Sequence, residues 1–328
     1  MTTVVKFHKT GGPEVLSVEN ALVGKPKRGE ARVRHTAIGL NYIDTYHRSG
    51  LYPLPLPTGV GLEGAGVVEA LGAGVTHVKV GDRVAYAGGP PGAYAQERVM
   101  PANKLVKIPK GVSDEDAAAM MLKGLTVHML IRRVYRVQKG ETVVFHAAAG
   151  GVGLIACQWL KALGAKVIGT VGSDEKAKIA KAHGCQHTIN YNKENFAERV
   201  REITKGRGVP VVYDSVGKDT FYGSLDCLQP RGLLTVFGNG SGPVSDVDVN
   251  VLAKGSFYLT RPSIMVYSAM RSDLEAGAKE LFAMVKSGKI KIDINQRYAL
   301  ADAAQAHKDL EARKTTGSTI LMRSEERR

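Results

Sequence analysis

The sequence predicts an α/β chain of two domains, one β-rich and one built on a doubly wound parallel sheet, from three observations. Residues 142–171 read as strand, glycine turn, helix and strand. From about 122 to 265, short apolar strands alternate with helical stretches. Residues 1 to about 121 are rich in Gly and Pro, with short alternating strands and turn signals. The second pattern is that of a doubly wound sheet and the third that of a compact β-rich domain.

Taken in order, Ala31 to Ile38 alternates small or apolar with polar residues, Gly66-Val67-Val68-Glu69 is a second short strand, and Gly81-Asp82 marks a turn. Thr142 to Ala147 (TVVFHA) is short, apolar and β-branched, as a strand buried on both faces requires. After the glycines, Val152, Ile155, Ala156, Trp159 and Leu163 recur at helical spacing, and Gly164 stands where a C-terminal cap belongs. Lys166 to Val171 is a second buried strand, which closes one right-handed βαβ unit. A helix over Asp174 to Ala182 follows, with acids in its first turn. Then come a strand at Thr188 to Tyr191, a helix near Glu194 to Thr204, and a strand at Val209 to Asp214. A helix near Thr220 to Leu228 and a strand at Leu233 to Phe237 complete the series. The tail, with helices near Ser272 to Ser287 and Ala301 to Arg313 and a strand at Ser318 to Met322, is expected to return to the first domain. The expected division is therefore 1–121 with 266–328, and 122–265.

The glycines raise a chemical question. Ala148, Gly150 and Gly153 occupy the three positions of G-x-G-x-x-G, with an extra glycine at Gly151. By itself this imperfect match would also suit a turn that only packs helix against strand. The strand before, helix after and second strand at the right distance favour a dinucleotide, whose pyrophosphate meets amide N–H groups at the helix start. Binding NAD usually calls for an acid about twenty residues past the first glycine. Here Thr170-Val171-Gly172-Ser173 stands at the strand tip, with Lys176 to counter a 2′-phosphate. Asp174 and Glu175 compete with that reading unless they open the next helix. NADP(H) is favoured over NAD(H).

Composition narrows the class. The 328 residues are 44% hydrophobic, normal for a globular protein with room for two domains. No apolar run reaches the roughly 18 residues of a membrane span, and the start MTTVVKFHKT lacks a signal-peptide pattern, so a cytoplasmic location is expected. Cys157, Cys185 and Cys227 are odd in number and far apart in sequence, with no disulfide framework or metal knuckle evident. The net charge of +14 raises nucleic acid as a partner. Its densest clusters, Lys25-Pro26-Lys27-Arg28, Arg132-Arg133 and Arg327-Arg328, are short and not interleaved with aromatics. A basic surface that attracts an anionic cofactor is the simpler explanation.

The order of domains, with Gly61-Leu62-Glu63-Gly64-Ala65-Gly66, Gly72 and Val78 to Val84, resembles the medium-chain dehydrogenase/reductase superfamily along essentially the whole chain. Within it, Asn41 to Asp44, Arg48 to Tyr52, Lys123 to Thr126, Ala147 to Gly153 with Gln158, Tyr213 to Gly217 and Phe237 to Asn239 are similar to the zinc-independent quinone oxidoreductase, or zeta-crystallin-like, branch. That resemblance implies a GroES-like catalytic domain and a Rossmann domain. The zinc-dependent branch has a histidine ligand where this chain has Leu62 and a cysteine ligand where it has Asn41, so no metal is expected. The nine histidines are expected in surface or hydrogen-bonding roles.

Without a Lewis acid, the chemistry open to such a fold is hydride transfer from NADPH to an electron-poor acceptor. A quinone fits best; an enal, enone or enoyl thioester is the alternative, and an NADPH-holding structural or RNA-binding protein is an alternative of another class. By resemblance, NADPH lies between the domains. Gly150, Gly151 and Val152 would meet the pyrophosphate, and Gly172, Ser173, Lys176, Tyr191 and Arg313 the adenosine and its 2′-phosphate. Ser215, Phe237, Gly238 and Asn239 would line the strand ends, with Arg261, Pro262 and Ser263 on the far wall and Tyr42, Ile43 and Thr126 also on the cofactor. Asn41, Asp44, Tyr46 and Tyr52 would form the acceptor pocket, although aromatic packing for Tyr46 and Tyr52 and a capping role for Asp44 stay open. The tyrosine that the family often carries near His128 and Met129 is missing. A homodimer is the family expectation.

Overall fold

The structure is a computed structural model and describes residues 1–323, so the Arg327-Arg328 pair lies outside the described residues. The chain forms two units, one of residues 1–125, 268–286 and 292 onward, the other of residues 126–267 and 287–291.

The first unit opens with β1 (Thr2–Phe7), β2 (Ser17–Ala21), β3 (Glu30–Leu40), α1 (Tyr42–Ser49), β4 (Thr58–Gly59), β5 (Glu63–Leu71), β6 (Arg83–Ala87), β7 (Glu97–Pro101) and β8 (Val106–Lys107). Next comes α2 (Asp114–His128), whose last residues belong to the second unit. That unit continues through π-helical turns at Met129–Val134 into β9 (Thr142–Phe145), α3 (Gly151–Ala162), β10 (Lys166–Val171), α4 (Asp174–Ala182), β11 (His187–Asn190) and α5 (Phe196–Ile203). It ends with β12 (Val209–Asp214), α6 (Phe221–Asp226), β13 (Leu228–Val236), β14 (Tyr258–Thr260) and α7 (Ile264–Tyr267). The chain then returns to the first unit with α8 (Arg271–Lys286), β15 (Ile294–Ala299), α9 (Ala303–Glu311) and β16 (Ser318–Met322).

In the first unit, β3 is the hub. It pairs antiparallel with β5, β7 and the returning β16, which puts Thr319 opposite Leu40. Ala31, Val33, His35 and Ala37 face inward at alternate positions, as the sequence pattern predicts. The core they enter gathers Phe7, Val60, Tyr86, Tyr94, Met100 and Leu321. In the second unit six parallel strands run in the order β11-β10-β9-β12-β13-β14, the doubly wound order with its reversal between β9 and β12. Val144, Ile168, Val212 and Leu234 are fully buried in its core.

The predicted strands over Lys166 to Val171, Val209 to Asp214 and Ser318 to Met322 and the helix over Asp174 to Ala182 lie where expected. The boundaries between units differ from expectation by a few residues. Residues 122–125 stay with the first unit, where Leu122 N–H and Lys123 Nζ donate to the Glu63 carboxylate. Residues 287–291 join the second, because the Gln158 side chain on α3 accepts from Lys291 N–H at 2.8 Å and donates to its carbonyl at 3.0 Å. Strand β9 is shorter than predicted, since Ala147 adopts the left-handed region at φ 52° and ends it.

Candidate functional site

The C-terminal ends of the second unit's strands carry the nucleotide-binding candidates. Gly150 is the N-cap of α3, so no side-chain cap bond takes up the first-turn amides. A Cβ on Gly153 would collide with the Ala147 carbonyl and come within 2.6 Å of the Ala148 carbonyl, so only glycine allows the helix to press against the turn. A Cβ on Gly172, at the tip of β10, would come within 2.6 Å of the Tyr191 hydroxyl, which places that ring beside the tip. Ser173 is the N-cap of α4 and accepts from Lys176 N–H at 3.2 Å; the Lys176 side chain springs from the same first turn and is half-buried. Asp174 opens α4, as the sequence allowed, and its carboxylate is engaged by Asn190 at 2.8 Å and Lys193 at 2.6 Å.

Two loops meet at the ends of β12 and β13. The buried Asp214 carboxylate accepts from Val216 N–H at 2.8 Å, Gly217 N–H at 3.0 Å, and the Thr220 and Ser224 hydroxyls. The Ser224 proton is directed at Asp214, so Ser224 accepts from His146 Nε2–H at 2.9 Å, and His146 Nδ1 accepts from Thr170 at 2.8 Å. Burial lowers the His146 pKa and keeps the ring neutral. The turn holding Ser215 is zipped to the next loop through Gly240 N–H to the Ser215 carbonyl and Ser241 N–H to the Val216 carbonyl. A Cβ on Gly238 would collide with the Ser215 carbonyl. Phe237 packs on Phe145 with centroids 5.8 Å apart, and Arg261 donates to the Val236 carbonyl just ahead of Pro262 and Ser263. Thr126 is half-buried on α2, and His128 rests on Trp159 with centroids 6.0 Å apart where a tyrosine is missing.

The acceptor candidates lie in the first unit, on and around α1. Asn41 is its N-cap, and Asp44 Oδ2 accepts from Asn41 N–H at 2.9 Å. The Asn41 amide donates to Glu63 Oε2 at 2.7 Å, which leaves its second N–H. Glu63 is fully buried and also accepts from Leu122 N–H at 2.7 Å and Lys123 Nζ at 3.4 Å. Asp44 is fully buried too, so its carboxylate does not face solvent as a direct acceptor contact requires; its bond to the Asn41 N–H is the capping role that the sequence left open. Burial pushes its pKa up to about 7, against the pull of the Asn41 N–H and the Tyr94 hydroxyl. Tyr46 packs edge-on against Tyr52 at 5.2 Å and touches Tyr42 at 5.7 Å, so the two acceptor candidates pack on each other, the aromatic role that the sequence left open. Tyr42 and Ile43 are half-buried in the first turn of α1. Burial raises the Tyr42 pKa, opposed by the Arg313 cation, which stands in the turn after α9 at φ 58°. The structure thus assembles Asn41, Asp44, Tyr46 and Tyr52 in one unit with Tyr42, Ile43 and Arg313, and gathers the remaining cofactor candidates in the other.

Among the described residues no group of three or more His, Cys, Asp or Glu is placed to hold a metal. Leu62 is buried. The three cysteines are buried free thiols, but Cys157 and Cys185, distant in sequence, meet with sulfurs 3.2 Å apart.

A β-rich unit whose capped α1 carries polar acceptor candidates, with a six-stranded sheet whose ends carry an open helix start, defines a medium-chain dehydrogenase/reductase. The family model for the alcohol dehydrogenase GroES-like domain matches residues 27–110, and that for zinc-binding dehydrogenase matches residues 151–283. A quinone oxidoreductase of Pseudomonas aeruginosa is 57% identical over 98% of this chain and all of that protein. The crystal structure of Escherichia coli quinone oxidoreductase complexed with NADPH superimposes with a TM-score of 0.96, at 52% identity over 98% of this chain and 99% of that one. A 2-haloacrylate reductase of a Burkholderia species is 46% identical over 98% of this chain and 99% of its own length. The chain belongs to the zinc-independent quinone oxidoreductase family of that superfamily.

Sequence reasoning passed over Glu63, although a carboxylate inside the glycine-rich strand Glu63-Gly64-Ala65-Gly66 was the available signal. It quoted Lys123 only within a family marker and gave it no role, and it passed over Tyr94, His307 and Glu311, which join the site only through the fold. Replacing Glu63 by Ala leaves the Asn41 amide and the Leu122 N–H without this acceptor and the buried Lys123 ammonium without its counter-charge, with the Leu40 carbonyl still in reach. The expected loss is about 3–5 kcal/mol of stability, as when one partner of a buried pair is removed. Urea unfolding checks it: a loss under about 1 kcal/mol would mean that these donors find other acceptors.

Proposed function

We infer that the chain is an NADPH-dependent quinone oxidoreductase that works without a metal ion. The observation that carries this reading is the 57% identity with the Pseudomonas aeruginosa quinone oxidoreductase along 98% of the chain. The strand ends suit the cofactor: an open α3 start for a pyrophosphate, and a β10 tip whose nearby acid, Asp174, is already engaged by Asn190 and Lys193.

In this reading the amides of Gly151 and Val152, beside Gly150, hold the pyrophosphate. Lys176, Ser173, Tyr191 and Arg313 hold the adenosine and its 2′-phosphate beside Gly172. Ser215, Phe237, Gly238 and Asn239 bound the nicotinamide, with Arg261 to Ser263, Tyr42, Ile43 and Thr126 around it. When bound, the nicotinamide supplies the hydride. The protein orients the acceptor and stabilises the negative charge that hydride leaves on the quinone oxygen. Asn41 is suited to that charge through its second amide N–H, and Tyr46 through its hydroxyl, with Tyr52 packed behind Tyr46. A second reading, reduction of an electron-poor alkene, is favoured by the likeness to the Burkholderia 2-haloacrylate reductase.

We also propose a cytoplasmic homodimer. Strand β14 is the last of the six-stranded sheet and exposes Tyr258 (61%) and Leu259 (38%), an edge suited to self-pairing with a second copy. Light scattering is expected to give twice the chain mass, falling to one chain when both residues become lysine; a monomeric wild type removes the proposal.

The central test is NADPH oxidation across a panel of quinones, enones and haloacrylates, before and after dialysis against a chelator. Quinones are expected to be the best acceptors, with activity unchanged by the chelator. Turnover of alkenes but not quinones would favour the second reading, and stoichiometric zinc whose removal abolishes activity would end the metal-independent one.

Lys176→Ala is expected to weaken NADPH far more than NADH. A charge-assisted hydrogen bond to phosphate contributes about 1.5–3 kcal/mol, so NADPH affinity should fall roughly ten- to a hundredfold by fluorescence titration. Equal losses for both cofactors would show that Lys176 does not read the phosphate.

A further inference from the structure

Five side chains form one continuous line through the first unit, most of it buried. Arg48 on α1, only 2% exposed, sets its guanidinium on the Glu311 carboxylate at 3.0 and 2.7 Å. The same Nη1 donates to His307 Nδ1 at 3.1 Å. A guanidinium can only donate, so Nδ1 accepts and the proton of the neutral ring resides on Nε2. Nε2 stands 3.1 Å from the Tyr94 hydroxyl, to which it donates, and Tyr94 in turn donates its single proton to Asp44 Oδ2 at 3.0 Å. Arg48 therefore sets the direction of every bond in the line. Burial and the Arg48 cation lower the His307 pKa to about 3, so the ring stays neutral across the working range.

The line ends on unequal oxygens. Asp44 Oδ2 accepts from both Asn41 N–H and Tyr94, whereas Oδ1 is buried without a hydrogen-bond partner. An unpartnered buried carboxylate oxygen is costly as an anion and much less so when it carries a proton. The other charged groups that bear on Asp44 are Glu63 on β5, which raises its pKa, and Lys123 on α2, which lowers it. Tyr94 and Arg48 complete its surroundings, with the Tyr94 phenol itself raised far above its ordinary range by burial.

We propose that Asp44 is a positioning residue whose protonation sets the rate of quinone reduction, held ready to change state by Arg48, His307 and Tyr94; this rests on reading Asn41 as a partner of the quinone oxygen. Asn41 connects the two ends, since its backbone N–H binds Asp44 while its side-chain amide is the donor assigned to the acceptor. Hydride transfer places a negative charge on the quinone oxygen. An ionised Asp44 adds a negative charge under the same helix turn, beyond the Glu63 carboxylate that Lys123 already pairs, and opposes that step, and a neutral Asp44 does not.

The test follows kcat/KM for a quinone without titratable substituents, at saturating NADPH, between pH 5.5 and 8.5. The wild-type rate is expected to fall about tenfold from pH 6 to pH 8, as an acid titrating near neutrality loses its proton. Asp44→Asn should flatten that fall. Tyr94→Phe removes a donor that favours the ionised form, so it should move the fall to higher pH, and His307→Phe should move it the same way by less. NADPH affinity by fluorescence should be unchanged in every variant, which confirms folding; if Asp44→Asn does not fold, Tyr94→Phe carries the test. A fall that persists unmoved in both Asp44→Asn and Tyr94→Phe, with normal turnover, overturns the proposal alone. Failure to turn over any quinone overturns the acceptor reading on which it rests.

Discussion

The first unit depends on a single carboxylate. Glu63 sits fully buried between β3, α1 and α2, and its two oxygens receive the Asn41 amide, the Leu122 N–H and the Lys123 ammonium. Space for it exists only because Gly39 has no side chain, since a Cβ there would collide with the Glu63 carboxylate and the Ala118 carbonyl. A buried anion without donors would be prohibitive, and donors without the anion nearly so. The group therefore fixes the entry of α1 and the course of α2 together. Lys123 also reaches the Leu40 carbonyl at 3.2 Å, which extends the hold to the end of β3.

The second unit solves a similar problem with Asp214, whose carboxylate organises a turn where Glu63 joins separate elements. Two backbone amides and two hydroxyls converge on it, and His146 and Thr170 continue the network past β9 to β10. In both units the polar centre is shielded from water and stands beside a residue proposed to meet the cofactor or the acceptor. Ser215 and Asn41 are thereby held by groups that do not themselves contact solvent.

Much of this was legible in the sequence where one face of an element meets one environment. The alternation in β3, the apolar runs of β10 and β12, and the acids and serine at the start of α4 follow directly from burial and capping. Helix α1 was not legible as a helix, because Asp44, Thr45, Tyr46, His47 and Arg48 are all buried in succession and leave no apolar stripe. Helix α2 hides its period for the same reason, with Ala117 to Leu125 buried on every side. The candidate site divides along the same line. Glycine spacing marked the open end of α3, since backbone approach shows in sequence as missing side chains. The line that ends on Asp44 could not be marked, because Tyr94, which bonds it, and His307, which bonds Tyr94, lie 50 and 263 positions away along the chain and join it only through packing.

The zipped loops at the ends of β12 and β13 have a thermodynamic consequence. Their backbone conformation is set by Asp214 and by paired main-chain bonds, with Gly238 close against the Ser215 carbonyl. Most of the entropy of ordering them is lost when the chain folds, so little remains to be lost when a ligand arrives. Were the proposed cofactor to bind there, it would meet a preformed mould: association would be governed by diffusion and charge more than by rearrangement, and affinity would reside chiefly in how fast the complex comes apart.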